Sequence, residues 1–285
     1  MTVQNVTLTP GLYFVATPIG NARDITLRAL DVLSSADVLA AEDTRTLRKL
    51  MEIHGISLGG RSILPYHDHN GPQMRPKILA LVAEGKSVAY TSEAGTPLVA
   101  DPGFVLGREA IAQGLPVTSA PGASAIIDAL TIAGLPTDRF LFAGFLPPAS
   151  GARKTFLKEM NDVPATLVFY ESPKRIQKTL ADMCEVFGSD RQVSICRELT
   201  KKFEEVLRGT VTDLMQVISE RPLKGEIVIV VDRDRREASD EDLDSALAEA
   251  LGRLRVKDAA AEVAEKLGLP RRQVYQAALA RAGKT

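Results

Sequence analysis

Cysteine is almost missing from this chain. Its 285 residues include only Cys184 and Cys196, with no CxxC spacing. That excludes a disulfide framework and a thiolate zinc site, and it fits a reducing compartment. Histidine is nearly as scarce, with His54, His67 and His69 alone, and no Ser/His/Asp arrangement is visible. Neighbouring residues of "HDH" (67–69) point to opposite sides of an extended chain, so a polar loop is a better reading than a metal site. No apolar run is long enough to span a bilayer. The opening "MTVQNVTLTP" lacks the basic and apolar regions of a signal peptide. No GxGxxG follows a strand-like run, and the terminal "GKT" lacks the upstream glycine and strand of a phosphate loop. Excess charge is missing too: the net value is −1, so no global field draws the chain to nucleic acid or membrane. These absences leave the expectation of a cytoplasmic α/β protein without metal or membrane contact.

What is present is 45% hydrophobic sequence, enough for two domains and a small appendage. "GLYFVAT" (11–17) reads as a strand, and after "PIGNARD" Asp24 is placed to cap the helix "ITLRALDVLSSA". "DVLAA" is a second strand ending in "EDTR". "TLRKLMEIHG" is a helix with Gly55 in the stop position. "SILPYH" reads as a strand, "DHNGP" as a loop, "KILALVAEG" as a helix and "KSVAYTS" as a strand. "FVLGREAIAQG", "LPVTSAP" and "ASAIIDALTIAG" continue the alternation, which argues for a mostly parallel, doubly wound sheet. The pattern lapses over "FLFAGFLPPASGARK" and resumes at "ATLVFYES", with more strand per helix and room for antiparallel pairs. The run "RDRREASDED" (233–242) reads as a solvated linker. Beyond it, "VKDAAAEVAEKLGLPRRQVYQAALARAG" has the outline of a helix-turn-helix, broken at Gly268–Pro270. A small packing bundle is the alternative. The expected domains are 1–121, 122–234 and 240–285.

Several loops at strand ends are too unusual for plain turns: "TPIGN" (17–21), "EDTR" (42–45), "SEAGTPLVADPG" (92–103) and "SAPGASA" (119–125). Ligands of open α/β sheets bind at the carboxyl ends of strands. Glycine permits close backbone approach, and proline fixes a loop without a free N–H. Rigid turns alone are the alternative for any one loop, but a poorer account of them together.

"LYFVATPIGN", "ITLRALDVLSSADVLAAEDTR", "SEAGTPLVADPG", "PGASAIIDALTIAGLPTDRFLFAGFLP", "FYESPKRI", "RELTKKFEE" and "KGEIVIVV" occur in that order over residues 9–232. Together they resemble the signature segments of the bacterial ribosomal RNA small subunit methyltransferase I family, of the tetrapyrrole methylase fold. The helical tail resembles that of family members. The resemblance implies two α/β domains with S-adenosylmethionine in the cleft between them. It also implies methylation of the ribose 2′-hydroxyl of a cytidine in the decoding region of small-subunit (16S) ribosomal RNA, with the rRNA or the 30S subunit as partner and a homodimeric enzyme. By the same resemblance Pro18 forms the floor of the donor pocket. Ser92, Glu93, Ala94, Gly95, Thr96, Pro97 and Val99 form one wall, with Thr96 and Val99 nearest the amino-acid or sulfonium part. Ser124 and Ala125 form another side, and Tyr170, Glu171, Gly225 and Glu226 come from the second domain. The chain departs from the family pattern in Glu93, where many members carry Asp, and in "PGASA", where many carry "PGPCA".

A ribose hydroxyl is a poor acid, so such a transfer is helped by a base. The candidates are Asp43, Glu42, Glu93 and Asp101. Asp43 is the first choice, with Arg45 beside it. An ion pair with Arg45 or a helix N-cap is the alternative for Asp43, and Asp101 before Pro102 suits a cap. Arg45, Arg48 and Lys49 cluster, as do Arg197, Lys201 and Lys202, while Arg271 and Arg272 open the last helix. All could position phosphates, or simply solvate a surface. Tyr66, Tyr170 and Phe203 could stack on an unstacked base, or be core. Cys196 reads as a buried apolar residue. Two rivals stay open: a methylase of the same fold acting on a tetrapyrrole or other small molecule, and a ligand-sensing regulator with a DNA-binding tail.

Overall fold

In the computed structural model the first half of the chain builds one all-parallel sheet. The structure describes residues 3–100, 103–233, 240–267 and 269–282. Asp101, Pro102, Gly268, the core of the charged run at 234–239 and the terminal "GKT" lie outside the described residues. The strands β1 (Gly11–Val15), β2 (Val38–Ala41), β3 (Ile63–Pro65), β4 (Ser87–Thr91) and β5 (Val117–Ala120) lie in the order β3-β2-β4-β1-β5. Between them run α1 (Leu27–Ser35), α2 (Thr44–Ile53), α3 (Gly71–Ala83) and α4 (Phe104–Ala112). The strand sequences are apolar throughout because both faces are buried. Tyr13, Val15, Leu39 and Ala89 face Leu30, Leu33, Leu47 and Met51 of α1 and α2. Leu12, Phe14, Val88 and Tyr90 face Ile78, Leu79, Val82 and Leu106 of α3 and α4.

Two local expectations are corrected here. Asp24 does not cap α1: the N-cap is Thr26, whose hydroxyl accepts from the Ala29 amide at 3.1 Å. The "DHNGP" stretch is not all loop. Asn70 occupies the N-cap position of α3, and Pro72 lies in its first turn, where its missing N–H leaves no bond unmade.

The second sheet is mixed. Its strands β6 (Phe140–Phe145), β7 (Thr166–Glu171), β8 (Gln192–Arg197), β9 (Glu205–Thr210) and β10 (Ile227–Val231) take the order β6-β7-β10-β8-β9. Only β6 and β7 pair in parallel; β7 with β10, β10 with β8, and β8 with β9 are antiparallel. The helix α5 (Ala125–Ala133) packs Ile126, Ala129, Leu130 and Ala133 onto Val168, Cys196, Val228 and Val230. The helices α6 (Ser150–Asn161), α7 (Ile176–Phe187) and α8 (Val211–Glu220) complete this half. The stretch that the sequence pattern leaves unassigned holds β6 and the start of α6. A bulge between Phe142 and Phe145, with Gly144 at φ +70°, breaks the two-residue alternation that would have marked the strand.

Two arginines secure the link from β6 to α6. Arg153 is buried and pairs with Asp182 of α7 at 2.6 Å, while its Nη1 donates to the Pro147 and Pro148 carbonyls. Arg175 donates to the Leu146 and Pro147 carbonyls and pairs with Glu171 at 3.0 Å.

The chain divides into two compact units, Met1–Lys158 with Thr166–Asp232, and Glu159–Ala165 with Arg233–Thr285. Both sheets belong to the first. The second holds α9 (Asp240–Leu251), α10 (Val256–Leu267) and α11 (Arg271–Ala282). Leu247, Ala259, Val263, Val274 and Ala278 form its own small core. The end of the charged run is therefore helical, since α9 begins at Asp240. Pro270 immediately precedes α11, and Arg271 and Arg272 are exposed at its start. Among the described residues no helix is long and apolar enough to cross a membrane.

Replacing Asp182 with Ala strands the buried Arg153 guanidinium, so a loss of about 3–5 kcal/mol is expected. Asp182→Asn, which keeps an acceptor, is expected to lose less. Urea unfolding midpoints of the two variants check both values.

Candidate active site

The glycine/proline loop leaving β4 is stitched to the end of β1 by one antiparallel rung. The Thr17 amide donates to the Gly95 carbonyl at 2.9 Å, and the Gly95 amide donates back at 3.0 Å. Gly95 has φ +77°, and a Cβ there would stand 3.2 Å from Ile19 Cγ2. Glycine is thus required both for the conformation and for the approach. The Thr96 hydroxyl donates to the Ala123 carbonyl at 2.9 Å, which ties the loop to the entry of α5. Leu98 and Ala100 are held at φ +74° and +57°, left-handed conformations that non-glycine residues rarely adopt.

These ties frame a cavity of about 440 Å³, within the ~300–1,000 Å³ typical of small-molecule sites. Glu93, Ala94, Gly95, Thr96 and Val99 line it from the loop, and Ser124 and Ala125 from the start of α5. From the second sheet come Tyr170, Glu171, Gly225 and Glu226. Pro18, Ser92 and Pro97 do not reach the lining. Ser92 is buried below it, its hydroxyl donating to the Ala94 carbonyl at 3.3 Å. The Glu171 carboxylate is engaged behind the wall by Arg175, the Ser172 amide and the Thr179 hydroxyl. Ser124 is the N-cap residue of α5 but makes no side-chain cap bond.

Sequence alone does not single out Ile19, Phe145, Ser172, Pro173, Leu199, Ile227 or Val228, and it does not place Cys196 at the cavity. Ile19, Ser172, Pro173 and Ile227 adjoin residues that the motifs do mark. Phe145 lies in the segment "FLFAGFLP", but nothing in its pattern turns that ring toward a site. Burial pushes the Cys196 thiol up to about 12, so it contributes an uncharged apolar floor and no nucleophile.

The Gly225–Glu226 wall is held from behind by Glu198. Gly225 has φ +89°, and a Cβ there would collide with the Glu198 carboxyl group. One Glu198 oxygen accepts from the Glu226 amide at 3.0 Å and from Lys201 Nζ at 2.9 Å. Lys201 also pairs with the Glu226 carboxylate at 2.6 Å. The Glu226 amide first, then Lys201, hold the Glu198 carboxyl below its usual range.

In the "EDTR" loop Asp43 makes both the helix cap and the ion pair that stood as alternatives to a base. Asp43 is the N-cap of α2, accepting from the Arg45 and Thr46 amides, and pairs with Arg45 Nη2 at 2.9 Å. The Arg45 side chain, then its amide, pull the Asp43 pKa down to about 2, so the group is a weak proton acceptor. Asp43, Glu42 and Arg45 all lie off the cavity lining. Glu42 reaches it indirectly, accepting from the Glu93 amide at 3.0 Å.

Arg45, Arg48 and Lys49 are exposed together on α2. Arg197 and Lys201, by contrast, are occupied within the fold. Arg197 donates to the Lys224 and Phe203 carbonyls and pairs with Glu205, which removes it from a free cationic surface. Lys202 is exposed, its Nζ 5.5 Å from the Phe203 ring centroid. Tyr66 is core, edge-on to Tyr90 at 5.5 Å, so it offers no stacking face. Among the described residues no three His, Cys, Asp or Glu side chains stand together to hold a metal.

Glu198→Ala is expected to free the Glu226 amide, whose hydrogen exchange should accelerate while that of the β10 amides does not. Because the folded pKa of Glu198 is depressed, its stabilisation is present above the unfolded value and is lost as pH falls through the folded one. Acidification below pH 4.5 should therefore lower the Glu226 protection factor, its exchange relative to the intrinsic rate at each pH, in the parent toward that of the variant.

Sequence comparisons agree with this geometry. Residues 11–215 match the family of Tetrapyrrole (Corrin/Porphyrin) Methylases, and residues 237–282 match the RsmI C-terminal HTH domain. A ribosomal RNA small subunit methyltransferase I from Mesorhizobium japonicum is 46% identical over 272 residues, covering 94% of this chain and 91% of the relative. One from Halalkalibacterium halodurans is 41% identical, covering 93% of each. The crystal structure of a cobalamin-biosynthetic cobalt precorrin-4 methyltransferase superposes with a TM-score of 0.58 at 18% identity, covering 78% of this chain and 94% of that one. By fold and by sequence over nearly its whole length, the chain belongs to the ribosomal RNA small subunit methyltransferase I family of the tetrapyrrole methylases.

Proposed function

We propose that the chain transfers a methyl group from S-adenosylmethionine to the ribose 2′-hydroxyl of a cytidine in the decoding region of small-subunit ribosomal RNA. The observation that carries this reading is the cavity closed by the Gly95 loop, the start of α5 and the Gly225–Glu226 turn, in a chain 46% identical to a relative of that name. With the reading go the cytoplasmic compartment, a homodimer, two α/β lobes at 1–121 and 122–234, and a helical module at 240–285.

The residues fit a nucleoside with a zwitterionic tail. Gly95 and Gly225 present bare backbone at the lining, where a Cβ would crowd Ile19 and the Glu198 carboxyl group, and Ser124 opens α5 without capping it. Gly95, Thr96, Ser124 and Ala125 would hold the amino-acid part, where the helix start favours a carboxylate. Tyr170, Gly225, Ile227 and the backbone of Glu171 would hold the nucleoside. When bound, the donor supplies a methyl carbon already activated by its positive sulfur, so no metal is called for. The protein orients the two reactants. Of the lining carboxylates, Glu171 is engaged by Arg175 and Thr179 and Glu226 by Lys201, and Glu93 is our choice to accept the 2′-hydroxyl proton. Glu42 positions it through the Glu93 amide. Asp43 keeps α2 in place, and Arg45, Arg48 and Lys49 on that helix, with Lys202, Arg271 and Arg272, meet phosphates without reading bases.

The deciding experiment is transfer of labelled methyl to small ribosomal subunits, with nuclease digestion to 2′-O-methylcytidine. Label on a tetrapyrrole instead, or on no substrate, would overturn the reading. Glu93→Gln is expected to lower kcat roughly 10²- to 10⁴-fold with donor affinity by calorimetry unchanged. Arg48→Glu with Lys49→Glu should weaken subunit binding and flatten its salt dependence, by about 0.7 in log–log slope for each single-strand phosphate no longer neutralised. Binding over a salt series measures it.

A further inference from the structure

We propose that Phe145 is the platform on which the target nucleobase of the RNA stacks; this rests on the RNA methyltransferase reading above.

A bulge in β6 sets the direction of the ring. Phe142 pairs with Val168 and Phe145 with Tyr170, so three residues of β6 advance against two of β7. In an unbroken strand Phe142 and Phe145 would point to opposite faces, because side chains alternate. The extra residue, with Gly144 at φ +70°, brings both rings against Tyr170. The ring centroids lie 4.9 Å and 5.4 Å from that of Tyr170, at interplanar angles of 62° and 64°. A bulge that re-aims a side chain at the rim of a site is a recurrent device.

Burial does not explain the placement. Phe145 remains 60% exposed while lining the cavity, so most of the ring is open to whatever approaches from solvent. Its position is nevertheless fixed. The carbonyls of the three residues that follow it, Leu146, Pro147 and Pro148, are gripped by Arg175 and Arg153. Both arginines are in turn paired with carboxylates, Glu171 and Asp182. An exposed aromatic face on so braced a backbone is pre-organised for a flat partner.

Two flat partners are in question, the adenine of the donor and a base of the RNA. The walls assigned to the donor, at Gly95–Thr96, Ser124–Ala125, Tyr170–Glu171 and Gly225–Val228, lie on other segments, and Phe145 meets them through the Tyr170 ring. The exposed ring suits the reactant that arrives last and from outside. A cytidine drawn out of the helix gives up stacking on its neighbours, and an aromatic face replaces them without reading sequence.

The test uses the whole enzyme and small ribosomal subunits lacking the modification. Phe145→Leu keeps apolar bulk and removes the π face. It is expected to raise KM for subunits roughly 5- to 100-fold, as base–aromatic stacking does, with S-adenosylmethionine affinity by calorimetry unchanged. Phe145→Tyr should recover most of that loss. The chain has no tryptophan, so Phe145→Trp supplies a single tryptophan, excited selectively over the tyrosines, whose fluorescence S-adenosylhomocysteine alone should leave largely unchanged. Weaker donor binding in Phe145→Leu with subunit KM unmoved, or strong quenching by S-adenosylhomocysteine alone, would assign the ring to adenine and overturn the proposal. A Phe145→Leu enzyme with parental KM would make the ring mere filler. Failure of the parent enzyme to methylate subunits at all would instead remove the functional reading, before any variant is compared.

Discussion

The wall of the cavity that carries Glu93 to Thr96 depends on a pair of backbone hydrogen bonds between Thr17 and Gly95. They join the carboxyl end of β1 to the loop that leaves β4, two strands that are already neighbours in the sheet. A loop with two left-handed non-glycine residues, Leu98 and Ala100, would not hold its shape unaided, since each such residue costs on the order of 1 kcal/mol or more. The rung at Gly95 and the Thr96 hydroxyl bond to Ala123 supply the restraint. The opposite wall is built on the same plan with different parts. There Glu198, itself at φ +52°, reaches under Gly225 and holds the Glu226 amide. Both walls join a glycine in a left-handed conformation to a strained neighbour, and both are secured by hydrogen bonds from outside the loop.

The same logic separates what is legible in the sequence from what is not. Strands buried on both faces, such as "LYFV" and "IVIVV", show as unbroken apolar runs, and the loops between them show through glycine and proline. The alternation of β1 to β5 with helices is therefore legible, and so is the glycine/proline loop from which Glu93, Ala94, Gly95, Thr96 and Val99 line the cavity. Asp24 misleads because Thr26 two residues on offers an equally good cap, and only the helix's true start decides between them. The segment with β6 escapes notice because its bulge destroys the period on which strand reading relies. Phe145 is hidden for the same reason, since its direction is set by one extra residue and by arginines far along the chain.

Charge is the least legible property. Arg197, Lys201 and Lys202 look alike in sequence. In the fold, Arg197 is occupied by two carbonyls and Glu205, Lys201 by two glutamates, and Lys202 is exposed. Asp43 and Glu42 are likewise adjacent carboxylates with different work. One caps a helix beside an arginine, and the other braces a residue of the cavity wall. Residue type fixes what a group can do; its partners, set by tertiary structure, fix what it does.

The strand order of the second sheet has a consequence for how the molecule is made. The last strand in the sequence, β10, occupies the centre, with β7 on one side and β8 on the other. A chain still being synthesised lays down β6, β7, β8 and β9 before the piece that joins them exists. Until residue 231 has emerged, β7 and β8 each carry an open edge of unpaired backbone groups, and the wall from Gly225 to Val228 is missing. Nascent chains of this protein thus pass through a late interval in which the first sheet can be complete while the second still waits for its middle. In that interval edge protection falls to whatever meets the chain outside the exit tunnel.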